Sequence, residues 1–354
     1  MEYKNTIYPG KISDSSKIIN FINDKSKELG IDIIGFGSIE TFKKYVNKFF
    51  KDNKYFKPEE LFPECKTVIS TGLSYNYDWN NISNESIGYI ARYTTANFYK
   101  ILSSKLQKLG KAIKEYLGYN KSNKDFFRVF VNSKINDKLS AYISGLGYYA
   151  KNSLIIIKDK GCKYVLGELL LSIKLPSNKE NDTNCNECKF CINACPTGAL
   201  TGDGSLKKDL CIQHLSSQLN WPEFINKKSF LKIWGVRFFG CTYCIDICPY
   251  NKNNFKIYNK DQELIGFVGT SFDIMNVLKF SKGDYKEFFR NNQISAGWIP
   301  VSALARNCLA ALYNLSREDL IEEYLEKIDT YNWDESEKDF LKKFCFFLLN
   351  NKGN

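Results

Sequence analysis

The chain has 354 residues, 44% of them hydrophobic and 25% charged, the balance of a folded protein rather than a disordered one. Lys and Arg outnumber Asp and Glu 50 to 39, a formal charge of +11 that favours a polyanionic partner without identifying one, because Lys richness is also a compositional bias. No apolar run approaches the ~20 residues of a membrane helix, and the N-terminal MEYKNTIYPG has neither an apolar core nor a twin-arginine pair, so a cytoplasmic protein with no membrane association is expected.

Residues 1–176 read as a domain mixing helices and strands, α+β or α/β in class. SSKIINFINDKSKELG carries Ile18, Ile19, Phe21, Ile22 and Leu29 as a short amphipathic helix stopped by Gly30. Strand-like runs follow at 31–39, 66–75, 126–132 and 153–159. Between them Phe98, Ile101, Leu102, Leu106, Leu109, Ile113 and Leu117 recur at helical spacing. Lys100, Lys105, Lys108, Lys111 and Lys114 lie largely on the other side of that helix, either as a solvated face or as a phosphate-facing surface. After Pro176 the polar SNKENDTN leads into a cysteine segment, and 177–255 is read as a second domain. Residues 256–354 are read as a C-terminal region whose later part is helical, in VSALARNCLAALYNL, LIEEYLEKI and KDFLKKFCFFLLN.

Twelve cysteines in an unexported chain argue for metal or redox chemistry rather than a disulfide framework. Cys185, Cys188, Cys191 and Cys195 form C-x2-C-x2-C-x3-C followed by Pro196, the run in which three thiolates hold one iron–sulfur cube and the fourth reaches another. Cys241, Cys244 and Cys248 before Pro249 repeat the pattern short of one cysteine, which Cys211 supplies. Cys185, Cys188, Cys191 and Cys248 are therefore assigned to the first [4Fe–4S] cluster, and Cys195, Cys211, Cys241 and Cys244 to the second. A zinc ribbon is the alternative, but two C-x2-C knuckles do not account for the paired C-x3-C-P endings. Cys65, Cys162, Cys308 and Cys345 sit in apolar surroundings and read as core. There is no G-x-G-x-x-G after a strand and no G-x-x-x-x-G-K-[ST] loop, so neither a dinucleotide fold nor ATP-driven chemistry finds support.

GYIARYTTANFYKIL at 88–102, RVFVNS at 128–133, SGLGYYAKNSLII at 144–156, YVLGELL at 164–170 and FGCTYCIDICPYN at 239–251 resemble, in the same order, the epoxyqueuosine reductase family. ARNCLAALYN at 305–314 resembles the start of that family's C-terminal helical repeat, which implies a HEAT-like tail. The resemblance implies a corrinoid-binding mixed-sheet domain, a two-cluster ferredoxin-like insert, two [4Fe–4S] clusters and cobalamin. It further implies tRNA as partner, an external low-potential electron donor, and a monomer. Family contacts to the corrin map near Tyr99, Asn132, Ile155, Leu166, His214 and Thr242, several of them through backbone. His214 is the chain's single histidine, three residues beyond Cys211. It reads equally as an acid near working pH or as an inert polar residue beside a cluster.

The resemblance departs at the substrate. The family's proton-donating aspartate is matched by Asn132, whose amide can orient an oxygen but cannot act as a carboxylic acid. Asp137 corresponds to part of an acidic–basic pair, and Ala150 stands for the glycine of a GKN motif. Tyr148, Tyr149 and Lys151 are the substitute proton sources considered, with Asn132, Tyr148 and Lys151 taken as catalytic candidates. Three functions follow: reduction of epoxyqueuosine in tRNA, cobalamin-dependent reduction of another substrate, and electron transfer without a substrate pocket.

Overall fold

In a computed structural model of the chain, the residues described are 15–49, 56–78, 88–119, 125–223, 225–251, 256–257 and 264–351. The decapeptide MEYKNTIYPG, read above for export, lies outside them. By their contacts the residues fall into two units, one of Met1–Tyr75, Phe98–Ala150 and Leu154–Asn186, the other of Asn76–Asn97, Lys151–Ser153 and Glu187–Asn354. The cysteine segment from Glu187 onward and the helical tail share the second unit.

The first unit is built on a four-stranded sheet of β1 (Ile33–Ser38), β2 (Thr67–Ser74), β3 (Phe127–Phe130) and β4 (Tyr164–Leu171) in the order β1–β2–β4–β3. All three pairings are antiparallel, with Ile33 opposite Gly72, Thr67 opposite Leu171 and Phe127 opposite Leu171. Every residue of β2 is buried, so its hydroxyls need internal partners. Thr67 Oγ1 donates to the Ile173 carbonyl at 2.8 Å and Thr71 Oγ1 to that of Gly167 at 2.9 Å.

Four helices accompany the sheet: α1 (Ser15–Glu28), α2 (Ile39–Phe49), α3 (Phe98–Tyr116) and α4 (Asp137–Ile143). Phe98, Leu102, Leu106, Leu109 and Ile113 form the buried stripe of α3, which packs on β4. Gly167 eases that approach, since a Cβ there would lie 3.2 Å from Leu102 Cδ2 of α3 as well as 2.7 Å from Val131 Cγ2. Lys100, Lys108 and Lys111 are solvated, whereas Lys105 reaches back to donate to the Leu29 carbonyl just past α1. Asn136 caps α4 by accepting from the Leu139 amide at 3.0 Å. A hairpin of Gly147–Tyr149 and Ile155–Ile157 packs beside α4.

The second unit carries seven further helices that matter here: α5 (Phe190–Ala194), α6 (Ile212–Leu215), α7 (Lys227–Trp234), α8 (Tyr243–Asp246), α9 (Val301–Asn314), α10 (Glu318–Lys327) and α11 (Glu335–Leu349). The last three form where the sequence places them. From Ser302 to Leu312 every residue of α9 is buried, because α7, α10, α11 and the strand Arg237–Phe239 surround it. The parallel pairings occur in this unit, between Tyr89–Ile90 and Arg237–Phe239 and between Tyr77–Asp78 and Lys256–Ile257. Cys65, Cys162, Cys308 and Cys345 are all buried core residues. Among the described residues no helix is long and apolar enough to cross a membrane.

Candidate functional site

Two short helices deliver cysteines from the two runs. Cys191 rides on α5 and Cys244 on α8, and these helices pack against each other. Burial pushes the Cys244 thiol up to about 12, and Cys241, Cys211, Cys195 and Cys191 add to the effect by their charge. Cys241 is raised by burial too, with Cys211 and Cys195 again among its neighbours and Arg237 opposing. The four residues assigned to the second cluster therefore share one neighbourhood, with Cys191 of the first close by. Thiolates gathered and buried in this way repel one another unless a cationic core binds them, which is what the iron of a cluster provides. Cys195 Sγ also accepts from the Ala199 amide at 3.3 Å, a bond that stabilises a ligating thiolate. Among the described residues no three His, Cys, Asp or Glu side chains close on a single ion position. The donor set fits iron–sulfur ligation.

A hydrogen-bonded frame surrounds the second set. The Tyr93 hydroxyl accepts from the Cys241 amide at 3.1 Å and donates to Gln213 Oε1. Burial holds that phenol well above its ordinary pKa. Gly240, just before Cys241, has φ +87°, and a Cβ there would lie 2.5 Å from Ala91 Cβ and 2.7 Å from the Tyr93 hydroxyl. Thr242 donates to Asp246 Oδ2 at 2.5 Å and pairs with the Tyr89 hydroxyl at 2.7 Å. Lys151 Nζ donates to the Cys188 carbonyl at 3.1 Å and Asn152 Nδ2 to the Cys244 carbonyl at 3.3 Å, so adjacent residues tie down both cysteine runs. From α9, Arg306 donates to the carbonyls of Leu215, Gln218 and Leu219 at 3.1, 2.8 and 2.8 Å. Its neighbour Asn307 bonds those of Ser216 and Phe238 at 2.9 and 2.8 Å. These contacts brace the chain after Cys211 and before Cys241.

On the first unit, Asn132 follows β3 with an exposed side chain and φ +46°, a left-handed conformation that asparagine tolerates. Its backbone N–H donates to Asp137 Oδ2 at 3.1 Å. Asp137 Oδ1 and both oxygens of Glu168, on β4, are buried with no hydrogen-bond partner among the described residues. The two carboxyls lie near enough to perturb each other. Burial raises Asp137 to about 7, and burial together with the charge of Asp137 raises Glu168 well above the carboxylate range. Tyr99, at the start of α3, is pushed up to about 12 by burial, with the charge of Asp137 adding to it. Tyr148 is buried in the hairpin. The alanine at 150 causes no strain, since the left-handed residue of that turn is Ser153, with φ +62°.

The residues mapped to the corrin divide between the units: Tyr99, Asn132, Ile155 and Leu166 in the first, His214 and Thr242 in the second. An aromatic ring, an amide and two aliphatic side chains suit the edge of a large macrocycle, and none of those four is a cobalt ligand. Tyr93, Gln213, Arg306, Asn307 and Glu168 escaped sequence reasoning as site residues. The only signals for the last three were the ARN and LGE pieces of the resemblance.

Residues 56–133 match the family described as Epoxyqueuosine reductase QueG, DUF1730, and residues 184–251 match a 4Fe-4S double cluster binding domain. The chain is 34% identical over 202 residues to the epoxyqueuosine reductase of Salmonella typhimurium, across 55% of this chain and 50% of that protein. It is 27% identical over 320 residues to that of Bacillus cereus, across 84% and 80%. The alignment thus spans about half the length of the first of these relatives. A crystal structure of an epoxyqueuosine reductase with an epoxyqueuosine-modified tRNA-Tyr stem loop has the same fold, at 22% identity and a TM-score of 0.74 over 95% of this chain and all of that one.

Proposed function

We propose that the chain, which matches the epoxyqueuosine reductase family over residues 56–133 and is 34% identical over 202 residues to a relative of that name, reduces epoxyqueuosine in tRNA to queuosine. The observation that carries this reading is the convergence of Cys195, Cys211, Cys241 and Cys244 in a segment that matches a double-cluster domain. The first cluster takes Cys185, Cys188, Cys191 and Cys248. By the resemblance, the residues that would hold cobalamin are Tyr99, Asn132, Ile155, Leu166, His214 and Thr242. When bound, the clusters pass on single electrons from an external low-potential donor and the corrin supplies a strongly reducing metal for breaking a carbon–oxygen bond.

The chain's own residues supply position and protons. Lys151 and Asn152 hold the backbone of both cysteine runs, and the Tyr93 hydroxyl fixes the backbone at Cys241. Asn132, exposed on its left-handed turn, can donate its amide hydrogen to the substrate oxygen. The chain's excess of Lys and Arg suits a tRNA backbone, so binding should weaken steeply with salt.

The test uses anaerobically reconstituted protein with cob(II)alamin added. About eight irons per chain, an altered bound-cobalt EPR signal, and conversion of an epoxyqueuosine stem loop would establish the reading. Iron bound with cobalt left free would overturn it in favour of an electron carrier. A second reading, reduction of a different substrate, is favoured by Asn132 alone. Bound cobalt without turnover of the stem loop, gained on Asn132→Asp, would select it.

A further inference from the structure

Removing an epoxide oxygen breaks two carbon–oxygen bonds, forms one carbon–carbon double bond and releases water, consuming two electrons and two protons. An external one-electron donor of low potential supplies the electrons; the protons need a source. Asn132 offers none, and the Lys151 ammonium is engaged on the Cys188 carbonyl.

We infer that Asp137 and Glu168 share and hold one of these protons, standing in for the acid that Asn132 does not provide. This rests on the proposed reduction and goes beyond it by naming the proton store. The argument is geometric first. Asp137 is tied to the Asn132 turn by the 3.1 Å bond to the Asn132 amide. Its other oxygen is buried, as are both oxygens of Glu168, a residue 0% exposed on the strand against which α4 packs, and none of the three finds a partner among the described residues. Two ionised carboxylates do not survive side by side out of water, so the pair keeps a proton between them.

The surroundings bring little charge to dislodge it. Asp137 is faced by Glu168 on β4 and Tyr99 on α3, and Lys138, its neighbour in sequence, is the cation that acts on it. Ser140, one turn along α4, acts on Glu168. Across the sheet Glu168 stands opposite Ser70 on β2 and Phe130 on β3, and the Ser70 hydroxyl is itself buried without a partner. Among the described residues no charged group from α2, β1, β2 or the hairpin acts on either carboxyl. The raised values of both acids agree with a proton retained at neutral pH.

The proton passes from the pair by way of solvent at the exposed Asn132 turn to the departing oxygen. Solvent supplies the second proton and then reprotonates the pair. Asp137 and Glu168 are thus positioning residues that act through that turn.

The decisive experiment is infrared difference spectroscopy of the full-length protein without substrate, between about pH 5 and 8, in H2O and D2O. The wild type should show a protonated-carboxyl stretch that persists above about pH 6, shifts in D2O, and is lost only when Asp137→Asn and Glu168→Gln are combined. Both variants should keep iron content and circular dichroism, while kcat on the epoxyqueuosine stem loop falls about 100-fold at unchanged KM and the pH profile loses its fall near neutrality. Asn132→Asp in the Glu168→Gln background should restore turnover. Absence of the carboxyl band in the wild type overturns the inference, even if either variant fails to fold and whatever the turnover. A band present and lost as described, with a wild type inactive on the stem loop, overturns the assigned substrate instead and leaves the proton store standing.

Discussion

Arg306 offers the sharpest quantitative test of what braces the cysteine loops. It is fully buried with no acidic partner among the described residues, and burial pushes its pKa down to about 9, so it stays protonated at neutral pH. The guanidinium donates to the carbonyls of Leu215, Gln218 and Leu219 and to Asn307 Oδ1, and lies 4.9 and 5.6 Å from the ring centres of Trp221 and Trp234. A hydrogen bond from a charged donor contributes about 1.5–3 kcal/mol, and a buried carbonyl left without its donor costs about 1–3. Because such terms are not additive, we expect Arg306→Ala to destabilise the protein by about 4–6 kcal/mol. For a chain of 354 residues that corresponds to a melting point lower by roughly 5–8 °C. Arg306→Met keeps most of the volume and isolates the hydrogen bonds; Arg306→Lys, with a point donor instead of a fork, should fall between it and the wild type. The assay is anaerobic thermal and urea unfolding of iron-loaded protein, with iron retention measured in parallel. Alanine and methionine variants within about 1 kcal/mol of the wild type, with iron retained, would refute the bracing argument.

Three further outcomes follow. Cys188→Ala and Cys244→Ala should each lower iron from about eight to about four per chain, each removing a different cluster signal; unchanged iron in both would sink the ligand assignment. Gly240→Ala forces a side chain onto a φ of +87° and within 2.5 Å of Ala91 Cβ, so urea unfolding should show a loss of about 1–3 kcal/mol. The third concerns pH. Asp137, at about 7 in the fold against an ordinary 3.8, binds more protons folded than unfolded. Stability should therefore fall as pH rises from about 4 to about 7, with Glu168, also raised, extending the fall, and Asp137→Asn should reduce that slope in urea titrations.

The helical stripe of α3 and the strand runs of β1, β2 and β3 were legible because their periodicity is local. The central strand β4 was not read as a strand: YVLGELLL has a glycine and a buried glutamate in it, and two-sided burial leaves no alternation to detect. The double-cluster segment was legible from cysteine spacing, and it matches a 4Fe-4S double cluster binding domain over residues 184–251. What spacing cannot carry is contact across distant segments. Asp137, at the start of α4, read only as part of an acidic–basic pair, since its neighbour Glu168 lies in the distant strand β4. Tyr93 and Gln213 likewise meet only through the fold.

The groups that brace the cysteine loops bind main-chain carbonyls almost throughout: Lys151 and Asn152 on one side, Arg306 and Asn307 on the other. A carbonyl is the same whatever side chain its residue bears. Stretches such as CIQHLSSQLNWPEF are therefore free to drift in composition while the path of the chain, and with it the spacing of the thiols, stays constant. An electron relay built this way is portable: the same wiring can be kept while side chains elsewhere in the molecule change.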